Sequence, residues 1–241
     1  MEVRKSIFLN SALFFGIAIL AIVAVDLELR PLVLLTKPLL LILLSVWFFF
    51  SSRRYGDRFT LLIQTGLLFS LLGDIAFLFS YRNEFNFILG SGAFLIAVFA
   101  YALAFIQNIV EIRPRSGVWL SLLLTVFIGA FSLLFLRFLY PHLHELLYPV
   151  LALTGSITFM CFVAAFRFKR TYQRSFWMIM IGCVLFLLSN ALMGVDRFVI
   201  TVSGGNIAMN AMYALSQYLI VRGCLVHISR QIRQKAEPSA A

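Results

Sequence analysis

The chain is dominated by recurring apolar stretches, each about as long as a bilayer is thick. Windows of mostly apolar residues recur at 6–25, 32–50, 59–80, 86–109, 118–138, 148–166, 176–193 and 206–226, and a helix needs ~20 such residues to cross the hydrocarbon core. A helix satisfies its own backbone hydrogen bonds, which lipid cannot do. The expectation is an all-α fold, a polytopic membrane bundle of eight transmembrane helices. It forms one domain over 1–233, with 234–241 as a short disordered cytoplasmic tail. Composition agrees: 62% hydrophobic and 12% charged residues, with a mean hydropathy of +0.97, leave too little polar surface for a water-soluble fold. The first stretch reads as a span and not a cleaved signal, because it is long, continues to Asp26 and Glu28, and lacks a small-residue cleavage site.

A net charge of +10 raises the question of nucleic acid, but the cations are distributed by membrane side. Arg4, Lys5, Arg53, Arg54, Arg58, Arg113, Arg115, Arg167, Lys169, Arg170, Arg174, Arg222, Arg230, Arg233 and Lys235 fall at one end of the spans. Arg30, Arg82, Arg137 and Arg197 fall at the other, and Lys37 lies within a span. The split predicts cytoplasmic N- and C-termini and no nucleic-acid partner. Within the cytoplasmic group, residues 167–170 (RFKR) read as an anchor to anionic lipid headgroups. Cys161, Cys183 and Cys224 lie inside spans, where they read as small packing residues and not as a disulfide framework.

Of the ten acidic residues, only Asp74 is well inside a span. An acid near a helix centre costs ~2.5–3.5 kcal/mol on insertion, and each Leu, Ile, Phe or Val returns roughly 0.3–0.6. The thirteen such residues between Phe59 and Phe79 outweigh that penalty. The helix thus tolerates Asp74 without needing it, which points to a functional role. The bland alternative is that Asp74 only pairs with Lys37 or bonds a neighbouring helix. With alternating helix directions, Lys37 of the second span, Asp74 of the third, and Ser189 and Asn190 of the seventh fall at similar depth in the outer half. In the eighth span, Asn206, Asn210, Tyr213 and Gln217 are spaced by four, three and four, which is one helix face. Singly these residues read as interhelical hydrogen bonds. Together they predict a polar cavity opening outward.

The two halves of the chain resemble each other. GLLFSLLGD at 66–74 matches GCVLFLLSN at 182–190, YALAF at 101–105 matches YALSQ at 213–217, and the run starting at Lys37 echoes that at Tyr148. The pattern implies parallel 4+4 repeats about an axis normal to the membrane, with Asp74 and Asn190 facing each other.

The motifs Lys37-Pro38-Leu39, Leu71-Leu72-Gly73-Asp74, Gly90 through Phe94 to Tyr101, and Tyr213 with Gln217, Leu219 and Ile220 resemble those of the lysoplasmalogenase, or YhhN-like, membrane proteins. The resemblance runs from the second span to Arg222. It implies a bacterial inner-membrane hydrolase that cleaves the vinyl-ether bond of lysoplasmalogens to a fatty aldehyde and a glycerophospho-base. No cofactor and no metal is implied, and the partners are a lysophospholipid substrate and membrane lipids. By resemblance Asp74 and Asn190 stand at the catalytic positions, and Lys37, Tyr101, Tyr213, Gln217, Ser189 and Asn210 bind substrate. Three positions depart from the pattern. Asn190 replaces an aspartate, Val98 a histidine and Leu153 a tyrosine.

Enol-ether cleavage needs a proton delivered to carbon and a water activated to attack the resulting cation, a division of labour suited to two carboxylates. Burial and a nearby Lys37 act in opposite directions on the protonation of Asp74, and the sequence leaves that balance open. Asn190 can hold a water but cannot take its proton. Asp196 is six residues on, about 240° around the helix, and replaces Asn190 only if the helix breaks near Gly194. His142, His144 and Glu145 have metal-like spacing without a fourth ligand, and read as a solvated loop. Two further readings remain open: a lipid carrier that has lost a catalytic partner, and an ion-coupled transporter, for which no span shows an unwound break.

Overall fold

A computed structural model describes residues 2–53, 56–79, 83–111 and 117–236. Among these, eight helices are long and apolar enough to cross a membrane. They are α1 (Glu2–Asp26), α2 (Arg30–Ser52), α3 (Arg58–Phe79), α4 (Glu84–Glu111), α5 (Val118–Leu139), α6 (Leu147–Ala165), α7 (Gln173–Phe198) and α8 (Gly205–Ala236). The expected all-α bundle and multi-pass membrane character hold. The helices outrun the apolar windows at several ends, because helical hydrogen bonding continues into polar flanks. The clearest case is α8, which extends through Gln234 to Ala236, into the segment read as tail. There Tyr172 donates to Gln234 Oε1 at 2.6 Å. The rest of that tail, and the cations Arg54, Arg82, Arg113 and Arg115, lie outside the described residues.

Neighbour order repeats between the halves. In the first, α1 packs on α2, α2 on α3 and α3 on α4; in the second, α5 on α6, α6 on α7 and α7 on α8. The halves meet where α4 packs on α6 and where α8 packs on α1 and α2. The two most extensive contacts, α3 with α4 and α7 with α8, are close because glycines face large side chains. A Cβ on Gly66 would stand 2.3 Å from the Tyr101 ring, one on Gly73 2.5 Å from Phe94, and one on Gly90 2.5 Å from Phe77. Across α7 and α8, Gly182 meets Ile220 and the Ser216 carbonyl, and Gly223 meets Ile179. Without water to drive association, such close approach is what holds helices together in lipid. The three cysteines are buried and unpaired, and Cys161 donates to the Cys183 carbonyl at 3.4 Å.

One basic cluster is not where its composition suggested. Arg167 is completely buried, so it cannot anchor to lipid headgroups. After α6 ends at Ala165 the chain turns tightly, with Lys169 at φ +56°. The turn leaves Lys169 exposed and points Arg167 into the bundle. Its Nη2 donates to Asn108 Oδ1 and to Ser175 Oγ, each at 3.3 Å, and the guanidinium lies 5.1 Å from the Phe105 ring centre. Burial lowers its pKa to about 10, which leaves it charged at neutral pH.

Candidate functional site

At the opposite end of the bundle from Arg167, α2, α3, α4, α7 and α8 surround a cavity of ≈ 380 Å³. Its floor carries Lys37 from α2, Asp74 from α3 and Tyr213 from α8. Its wall carries Ser189 and Asn190 from α7 and Asn210 from α8. The expected convergence is therefore present for six of the eight candidate residues.

Each is placed by a local feature of its helix. α2 runs continuously through Pro38, whose ring cannot donate a backbone hydrogen bond, and the preceding residue is Lys37. On α8 the four-three spacing brings Asn206, Asn210 and Tyr213 to one face, as the sequence predicts. Asn210 Nδ2 donates to the Asn206 carbonyl at 2.6 Å. Ser189 donates to the Met209 carbonyl at 2.8 Å, tying α7 to α8. Asn190 Nδ2 donates to the Phe186 carbonyl at 2.9 Å, one turn back on its own helix.

Tyr101 and Gln217 do not line the cavity. Both are buried beneath its floor, where they form a chain of donors directed at the acid. Tyr101 donates to Gln217 Oε1 at 3.1 Å, Gln217 Nε2 to Tyr213 Oη at 3.4 Å, and Tyr213 to Asp74 Oδ2 at 3.0 Å. Gln217 Nε2 also reaches Ser70 Oγ at 3.4 Å. Because Oε1 accepts and Nε2 donates, the amide of Gln217 can serve this chain in only one orientation. Lys37 lines the same cavity as Asp74. The carboxyl group thus has a directed hydrogen bond on one oxygen and a basic side chain in the same chamber.

Two further residues line the mouth. Asp196 lines the cavity while α7 continues unbroken past Gly194, so the helix break under which it would replace Asn190 is absent. Asp196 Oδ1 accepts the backbone N–H of Val202 at 2.9 Å, holding the loop before α8. Arg197 also lines the mouth, its guanidinium 4.3 Å from the Phe87 ring centre. The signal was present: Asn190, Met193 and Arg197 are spaced by three and four, one helix face. Ser70, one turn before Asp74, was missed for the same reason. Val98 and Leu153, two of the departures, are buried in the apolar core and do not line the cavity. His142 and His144 occupy two exposed 3₁₀ turns between α5 and α6.

What the fold and site define is a polytopic helical membrane protein with an acid-bearing polar chamber at one end. A model of the YhhN family matches residues 32–224, and the chain belongs to that family. The match takes in every residue of the chamber and the relay beneath it, and excludes α1. No curated protein and no solved structure matches the chain.

Proposed function

We propose that this protein is a membrane hydrolase resembling lysoplasmalogenase, which cleaves the vinyl-ether bond of a lysoplasmalogen within the chamber. The observation that carries the reading is Asp74 on the chamber floor, with one oxygen bound by Tyr213. Family membership supports the same class of reaction. Asp74 Oδ1 delivers its proton to the β-carbon of the enol ether, which forms an oxocarbenium ion. A water held against Asn190 adds to that cation and returns a proton to Asp74. The hemiacetal so formed collapses to the fatty aldehyde and the glycerol hydroxyl of the glycerophospho-base. Lys37 steadies the carboxylate between the two proton transfers. The asymmetric cation distribution orients the termini to the cytoplasm and opens the chamber outward, in a bacterial inner membrane.

The test is aldehyde release from lysoplasmalogen by purified protein. Asp74→Asn keeps the shape of the side chain but removes the acid, and is expected to lower the rate by about 10²-fold or more. Undiminished activity in that variant rules out the reading.

Asn190 favours a second reading, a lipid carrier on the same scaffold. Its amide bonds its own helix, and its oxygen cannot take a proton from water. Asn190→Asp distinguishes the two: a large gain in hydrolysis marks an enzyme short of one carboxylate. No gain, in a protein that binds lysolipid without cleaving it, marks a carrier.

A further inference from the structure

Behind the chamber floor lies a second, smaller cavity of ≈ 40 Å³, which shares Lys37, Asp74, Asn210 and Tyr213 with the first. These four residues form a neck between two unlike spaces. On one side is the chamber with its polar mouth; on the other, the wall is Ala18, Ala21 and Ile22 of α1, Leu40 of α2 and Ala214 of α8.

We infer that the alkyl chain of a bound lysolipid leaves the neck between α1, α2 and α8, and that Ala18 and Ala21 set the bore of that path. The inference rests on the lysolipid reading above and adds the route of the tail. The tail begins at the reacting bond beside Asp74, and the space on the α1 side of that residue is walled by alanine, isoleucine and leucine side chains.

Two seams at the chamber are closed. Between α3 and α4, the Phe94 and Phe77 rings fill the space over Gly73 and Gly90 and stack on each other with centroids 5.3 Å apart. Between α7 and α8, Ser189 is tied to the Met209 carbonyl. At α1 the arrangement is different. That helix is pinned at its first half, where Ser11 Oγ and Tyr218 Oη are 2.8 Å apart and Phe14 stacks on Tyr218 at 5.3 Å. Two turns on, it presents only alanine methyls and Ile22 to the small cavity. An apolar space of that kind suits methylene groups, and α1 is the helix outside the family match.

The direct experiment uses the full chain in nanodiscs with a saturated 1-O-alkyl lysophospholipid, which cannot be cleaved at a vinyl ether, carrying a diazirine early in its chain. Photolysis is expected to label α1 around residues 18–22, and unlabelled lysolipid should compete. Labelling around Phe77 and Phe94, or labelling that lysolipid does not compete away, overturns the inference. Ala21→Leu should raise Kd for the long-chain analogue by about tenfold while a four-carbon analogue changes by less than about twofold. Equal loss of both marks a structural effect and overturns it, as does no change in either. A protein that passes these tests yet releases no aldehyde refutes the hydrolase reading and keeps the tail path.

Discussion

Gly66→Ala tests whether the relay beneath the chamber depends on close approach of α3 and α4. The added methyl would stand 2.3, 2.6 and 2.9 Å from Cε1, Cδ1 and Cζ of Tyr101. Carbon atoms in contact need about 3.5–4.0 Å, so the shortfall is roughly 1.2–1.7 Å. The Tyr101 ring is fully buried and has nowhere to swing, which leaves separation of the helices or displacement of the ring. Either carries its hydroxyl away from Gln217, and a bond already at 3.1 Å passes the ~3.5 Å limit. Overpacking costs about 1–3 kcal/mol and the lost hydrogen bond about 0.5–1.5. Together they amount to roughly 2–4 kcal/mol, a fall in Tm of about 5–15 °C. Thermal unfolding in detergent measures this, alone and in a cycle with Tyr101→Leu, which removes the obstructing ring. The double variant should be less destabilised than the sum of the singles by at least about 1 kcal/mol. A Tm for Gly66→Ala within about 1 °C of wild type refutes the steric reasoning, and strict additivity refutes the link to Tyr101.

Tyr213→Phe removes the donor on Asp74 Oδ2 while keeping the ring. A hydrogen bond to a charged group is worth about 1.5–3 kcal/mol, so aldehyde release should fall roughly 10- to 150-fold, measured as a rate beside an unchanged circular-dichroism spectrum. Arg167→Met should leave Tm within about 3 °C of wild type, since the buried guanidinium has no partner for Nε or Nη1 and an apolar side chain of similar length replaces a poorly satisfied charge. Arg167→Ala should lower Tm by about 5 °C or more, because it opens a cavity beside Phe105; both are read in the same unfolding assay.

The sequence exposes the spans because run length alone distinguishes them, whatever face each helix turns inward. It exposes Asp74 because a lone acid in lipid is conspicuous, and the α8 face because four-three spacing is a purely local property. Depth is different. Helical spacing places Gln217 on the same face as Asn210 and Tyr213, but whether a residue lines a cavity or supports its floor depends on the helices opposite it. Gln217 meets Ser70 and Tyr101 from α3 and α4, so it became support. Arg167 was misread for a related reason. A basic run after a span has the composition of a headgroup anchor, whereas the turn ending at Lys169 decides which of its cations faces inward. Asp196 shows a third limit: its place about 240° around α7 from Asn190 does not settle whether it lines the cavity, because the helices opposite decide how broad an arc of α7 the cavity takes in.

Asn190 takes its meaning from its place beside the acid. Asp74 and Asn190 line one chamber from α3 and α7. Two equivalent carboxylates there could divide protonation of carbon from activation of water. With an amide at 190, one group must do both. The donor chain from Tyr101 through Gln217 and Tyr213 ends on Asp74 alone, so α4 and α8 together supply the hydrogen bonds that orient the acid of α3. In the proposed reaction Asp74 gives up its proton and receives one from water within the same turnover. Tyr213 must then stay bound to one oxygen while the other exchanges the proton. That requirement explains why the relay is directional, and why Asp74→Asn and Tyr213→Phe should impair the same step by different amounts.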